Sequence, residues 1–120
     1  MFDLISISEA IKRSYESEGL LIDVRSEEAF KKGHLPMAVN IPFEEIMDEK
    51  FDIREIEKNF NIEKEQPVFL YCDTGSTSML AAKKLDSVGI HAYSVVGGIM
   101  FYKGYLEKEK NDLWTMVRTP

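Results

Sequence analysis

Apolar residues along this chain fall into two alternating arrangements. Short runs dominated by apolar residues, Leu20 to Val24, Val68 to Tyr71 and Ala92 to Val96, are each followed by polar or glycine residues. Between them, apolar positions recur at helical spacing. Nearly continuous apolar runs are what strands covered on both faces require, so the alternation predicts a parallel sheet with helices on either side. Asp23 is the one charge in the first run, near its carboxyl end.

Taken in order, Leu4 to Ile7 leads into Ser8, which the pattern selects as a helix cap. Ile11 and Tyr15 are spaced for one buried face, and Gly19 stops the helix. A short helix is expected over Glu27 to Lys32, then the turn Gly33, His34, Leu35, Pro36 and a small strand near Val39 to Ile41. Between Phe43 and Phe60, the spacing of Ile46, Phe51, Ile53, Ile56 and Phe60 suits two short amphipathic helices. Pro67 introduces the clearest strand, Val68 to Tyr71, which ends at Cys72. After the loop Asp73 to Thr77 a helix is predicted to Val88, with Ser78, Ala81, Ala82, Leu85 and Val88 on one face and Gly89 as a left-handed cap. Gly97 and Gly98 are expected to end the last strand and start another helix through Phe101 and Tyr102. Trp114 is expected to pack a carboxyl-terminal segment onto the body. No repeat or flexible linker divides the chain, so residues 1–120 are expected to form a single domain.

Composition narrows the function classes. A hydrophobic fraction of 44% and a charged fraction of 30% describe an ordinary globular protein. A formal charge of −6, with lysines interleaved among acids, argues against nucleic-acid binding, which needs a basic stripe. No apolar run approaches the roughly 18 residues of a membrane span, and the amino terminus lacks a signal-peptide pattern, so a cytoplasmic location and no membrane partner are expected. The single cysteine excludes an internal disulfide and an internal resolving thiol. His34 and His91 with one cysteine make no zinc set, so neither metal nor cofactor is expected.

The chemistry concentrates at Cys72. Ligands of open α/β sheets bind beyond the carboxyl ends of the strands, and Cys72 falls at such an end, directly before a helix. Asp73, Thr74, Gly75, Ser76, Thr77 and Ser78 are small or turn-favouring, so their backbone amides can curl around an anionic sulfur, with Gly75 free to take a positive φ. A free thiol titrates near 8.5, about one and a half units above neutral pH. A helix amino terminus contributes up to about 2 kcal/mol to an anion, against about 1.4 kcal/mol per pH unit, which brings the thiolate close to neutral pH. Asp73 is expected to face solvent, where it opposes ionisation least. A buried, space-filling cysteine is the plainer reading, and the small-residue loop followed by an amphipathic helix weighs against it.

Several blocks in order carry a resemblance. LIDVRSEEAFKKGHLPMAVNIP from Leu21 to Pro42, YCDTGSTSMLAAKKL around Cys72, and VVGGIMFYKGYL resemble the amino-terminal signature, active-site loop and closing segment of rhodanese domains. The resemblance implies a five-stranded parallel α/β sheet flanked by helices on both faces. It implies a sulfurtransferase in which Cys72 takes sulfane sulfur from thiosulfate or another persulfide donor, carries it as a persulfide, and passes it to cyanide or a thiol. It also implies a small sulfur-containing substrate or a thiol or persulfide protein as partner, and leaves the oligomeric state open. Asp23 and Arg25 match the family's DxR pair and are expected to anchor the structure near the site. His34 is expected to bond nearby backbone, and Met79, Met100 and Met116 to serve packing.

The departures matter too. Many active members have arginine at the second and sixth loop positions, here Asp73 and Thr77, so weak thiosulfate binding is expected. The glycine usual after the HxP turn is Met37. A phosphatase or arsenate reductase would need an arginine clamp for a tetrahedral oxyanion, and Thr77 and Ser78 stand where that fork would be. A non-catalytic binding or regulatory module is the other alternative, favoured by the missing arginines and opposed by retention of Cys72.

Overall fold

The computed structural model describes residues 2–52, 54, 55, 58 and 65–108. Within them the chain runs β1 (Asp3–Ile5), α1 (Ile7–Tyr15), β2 (Leu20–Asp23), α2 (Glu27–Lys32), β3 (Val39–Asn40), α3 (Phe43–Met47), β4 (Val68–Tyr71), α4 (Ser76–Ser87) and β5 (Ala92–Val95). The strands form one five-stranded parallel sheet in the order β1-β5-β4-β2-β3. This is the α/β architecture expected from the alternation of strands and helices.

Side chains of a strand alternate between faces, and that alternation sorts the core into two layers. Leu20, Ile22, Val68, Leu70 and Cys72 share one layer with Ile46 of α3 and Ala81, Ala82 and Leu85 of α4. Leu21, Phe69, Tyr71 and Val95 share the other with Ala10 of α1, Phe30 of α2 and Leu35. Parity along β4 therefore assigns Cys72 to the side covered by α4. From β2 the chain moves outward to β3, and from β4 it moves the opposite way to β5. The carboxyl ends of β2 and β4 thus flank a switch point, where a crevice opens in sheets of this kind.

Several local expectations change. Ser6, not Ser8, caps α1: its backbone is extended (φ −75°, ψ 156°) and its hydroxyl accepts from the Glu9 amide at 3.2 Å. The face this start turns inward carries Ala10 and Ser14, and Tyr15 is 59% exposed. Ser14 tolerates burial because its hydroxyl donates to the Ile11 carbonyl at 2.8 Å. Val88 occupies the cap of α4 after the helical rotation has ended, and is exposed, unlike Ser78, Ala81, Ala82 and Leu85. Phe101 and Tyr102 follow a turn in place of the expected helix. Gly97 and Gly98 both take left-handed φ, and the Tyr102 amide closes a single turn onto the Ile99 carbonyl. Met79 and Met100 are exposed and do not serve the core. Ile53, Ile56, Phe60, Trp114 and Met116, for which helix or packing roles were expected, lie outside the described residues.

Candidate active site

Val68 to Tyr71 is buried end to end in mid-sheet, so the chain leaving it reaches the sheet edge at Cys72. Gly75, at φ +104°, reverses the backbone and serves as the cap of α4. The result is a loop folded over the sulfur. The Gly75 amide donates to Cys72 Sγ at 3.0 Å and the Ser78 amide at 3.4 Å, while Ser78 Oγ stands 3.5 Å from Sγ. Of the six loop positions expected to supply amides, the structure thus brings those of Gly75 and Ser78 to Sγ. Asp73, Thr74, Ser76 and Thr77 are exposed.

Burial is the largest influence on the thiol and opposes its ionisation. The hydroxyls of Ser78 and Thr77 and the amides of Ser78 and Gly75 together outweigh it, and the thiol lies below its ordinary value. Cys72 is only 4% exposed, so its sulfur sits at the bottom of the loop rather than on the surface.

Ser94 completes the site and was not singled out from the sequence. Its hydroxyl lies 2.8 Å from Ser78 Oγ, and both serines are buried. Ser78 Oγ also lies 3.2 Å from the Gly75 carbonyl, which accepts from it. A serine between Tyr93 and Val95, on an inward position of β5 in register with Leu70, is the signal that could have found it. Ser78→Ala would remove the hydroxyl beside Sγ and leave Ser94 without that partner. Iodoacetamide alkylation followed against pH is expected to show the midpoint for Cys72 moving upward and reactivity at neutral pH falling about tenfold, since a hydrogen bond to a charged group contributes about 1.5–3 kcal/mol. An unchanged profile would mean that the serine pair has no hold on the thiolate.

Asp23 and Arg25 brace the opposite wall of the crevice. Arg25 grips the buried Asp23 carboxylate with Nε at 3.0 and 3.1 Å and an Nη2 at 2.7 Å, and its backbone amide donates to the same carboxylate at 2.8 Å. The same Nη2 reaches the Gly33 carbonyl at 2.7 Å, tying β2 to the turn after α2. Across the crevice Arg25 Nη1 lies 3.9 Å from Asp73, whose side chain is 68% exposed. Below it the Tyr71 hydroxyl accepts from the Leu35 amide at 3.0 Å, and burial pushes the phenol well above its usual range. His34 Nδ1 donates to the Leu35 carbonyl at 2.9 Å and its ring stacks on Phe30.

The segment after β5 closes the loop from above. The Ile99 amide donates to the Cys72 carbonyl and the Met100 amide to the Asp73 carbonyl, both at 3.0 Å. Gly98 makes this approach possible: a Cβ there would meet the Asp73 carbonyl and stand 2.5 Å from the Cys72 carbonyl, at a φ of +63°. Gly98→Ala is expected to cost about 2 kcal/mol by overpacking and left-handed strain, read as a lower denaturation midpoint. Cys72 alkylation should change with it because the loop must shift. A midpoint equal to wild type would contradict the close approach.

A cavity of about 670 Å³ lined by Met47, Phe51, Leu85, Val88 and Ile90 lies by the carboxyl end of α4, away from Cys72. Among the described residues, no helix is long and apolar enough to cross a membrane, and no cluster of three or more His, Cys, Asp or Glu side chains could hold a metal ion.

A family model, the Rhodanese-like domain, matches residues 6–104. Over 97 residues the chain is 35% identical to a tRNA sulfurtransferase of Desulfurococcus amylolyticus, covering 81% of this chain but only 17% of that protein's length. It is 33% identical to the putative sulfurtransferase YtwF of Bacillus subtilis, covering 79% of this chain and 85% of YtwF. A rhodanese-like domain protein from Staphylococcus aureus superposes with a TM-score of 0.65 at 27% identity, covering 90% of this chain and 99% of that one.

Proposed function

From the premise that this chain belongs to the rhodanese-like domain family, we propose that it is a sulfurtransferase working through a persulfide on Cys72. The observation that carries the reading is the sulfur held on the amides of Gly75 and Ser78 at the start of α4, with its ionisation favoured by surrounding hydroxyls. Relatives named as sulfurtransferases support it.

In this reading the Cys72 thiolate attacks the sulfane sulfur of a donor. The new bond joins Sγ to that sulfur, the donor's own bond to it breaks, and the electron pair departs with the donor remnant, sulfite in the case of thiosulfate. The amides of Asp73, Thr74, Ser76 and Thr77, which are not engaged with Sγ, are the proposed donors to the outer sulfur of the persulfide. A thiophilic acceptor, cyanide or a thiol, then attacks that outer sulfur and releases the Cys72 thiolate. Asp23 and Arg25 support the loop and take no part in bond making. The proposed partners are a small sulfur compound or a protein carrying a thiol or persulfide.

Intact-mass measurement after incubation with sulfane donors tests this. A gain of one sulfur atom, removed by cyanide or a reducing thiol, is the expected result. No gain with any sulfane donor would overturn the reading in favour of a non-catalytic module. Release of phosphate from an aryl phosphate would revive a phosphatase, which the absence of arginine from the loop opposes.

A further inference from the structure

The mouth of the site carries an unbalanced charge. Loop residues 73–78 include one carboxylate, Asp73, and no cation. Among the described residues, the one ion pair that this loop makes is the 3.9 Å contact from Asp73 to Arg25. Arg25 Nε and Nη2 are held by the buried Asp23 and the Gly33 carbonyl, and Nη1 faces Asp73. Among the described residues, these two carboxylates and one guanidinium sum to one negative charge at the crevice, in a chain of formal charge −6. The segment whose backbone is bonded to this loop carries two exposed apolar side chains. Met100 is 58% and Phe101 80% exposed, and the Met100 amide is bonded to the Asp73 carbonyl.

We propose that Asp73 is a specificity-determining residue that turns the site away from dianionic sulfur donors and toward organic hydropersulfides, whose carbon body rests on Met100 and Phe101. This rests on the sulfurtransferase reading above. The charges on the two reactions differ in kind. Thiosulfate brings two negative charges to a thiolate whose neighbour in the chain is Asp73, so four negative charges gather before the Sγ–S bond forms and sulfite leaves with the electron pair. An organic hydropersulfide brings at most one. The thiolate attacks its terminal sulfur, the S–S bond to carbon-bound sulfur breaks, the thiolate of the donor departs with the pair, and the proton stays on the transferred sulfur. A thiosulfate has no apolar body to cover Met100 and Phe101, whereas an alkyl donor has one.

The experiment follows persulfide formation on Cys72 by intact mass with time, for thiosulfate and for an alkyl hydropersulfide whose carbon body carries no charge, over a range of ionic strength. Wild type, Asp73→Asn and Asp73→Lys are compared. In wild type the alkyl donor should load faster, and thiosulfate loading should accelerate as salt screens like charges. Asp73→Lys should raise the ratio of thiosulfate to alkyl loading by about tenfold and flatten the salt response, because the field at the sulfur changes by two charges. Asp73→Asn should fall between them. A merely structural role for Asp73 would not move the salt response. Equal loading from both donors, with a ratio and a salt response that Asp73 substitution leaves unchanged, would overturn this inference and leave the sulfurtransferase reading standing. If neither donor loads Cys72, both fall together.

Discussion

Cys72→Ser is expected to abolish sulfur transfer while leaving the domain folded. A hydroxyl cannot form a persulfide, and the site offers no second thiol, since the chain has a single cysteine. The loss should be at least about 10³-fold in kcat/KM, the scale on which removal of a covalent nucleophile acts. Stability should move far less. Serine is close in size to cysteine, and its oxygen can accept from the Gly75 amide that now stands 3.0 Å from Sγ. The denaturation midpoint and the loss of transfer are therefore read on the same preparation. Transfer at more than a tenth of the wild-type rate from a folded Cys72→Ser protein would mean that the sulfur never passes through this residue.

Arg25→Met is expected to produce the largest loss of stability of any single change considered. Asp23 is fully buried, and Arg25 supplies most of its hydrogen bonds. Removing one partner strands a charge that cannot reach water, which costs about 3–5 kcal/mol. A domain of this size holds roughly 5–15 kcal/mol in all, so the variant should sit near its unfolding transition at moderate temperature. Replacing both partners tells stranded charge from lost packing. Asp23→Leu combined with Arg25→Met should recover part of the loss, because an apolar pair of similar volume does not need solvating. Urea denaturation checks both. A double variant as unstable as the sum of the single changes would show that the hydrogen bond from Arg25 to the Gly33 carbonyl, not the burial of Asp23, dominates.

The fold was readable because its signal is local and redundant. LLID and VFLY are strands long and apolar enough to be recognised alone, and Cys72 follows the second directly. Gly75 was expected to allow a positive φ in the loop and Gly89 to cap α4, and both take positive φ, although α4 begins at Ser76, inside the loop expected to run to Thr77. Errors gathered where one residue had to decide. Ser6 and Ser8 can each cap a helix, and only the direction in which Ala10 and Ser14 pack settles which does. Gly97 and Gly98 signalled a turn, but not that the chain would lie against Cys72 and Asp73 instead of starting a helix.

By itself the sequence determined the alternation of strands and helices, the place of the lone cysteine at a strand end, and the loop of small residues after it. These follow from side-chain period and backbone freedom, which are properties of neighbours in the chain. Tertiary structure alone decided that Ser94 stands behind Ser78, that Arg25 is held by Asp23 and reaches toward Asp73, and that Ile99 and Met100 lock the loop. Those contacts join strands that the order β1-β5-β4-β2-β3 places side by side although they are distant in the chain. No periodicity in the chain encodes which strand will be its neighbour's neighbour.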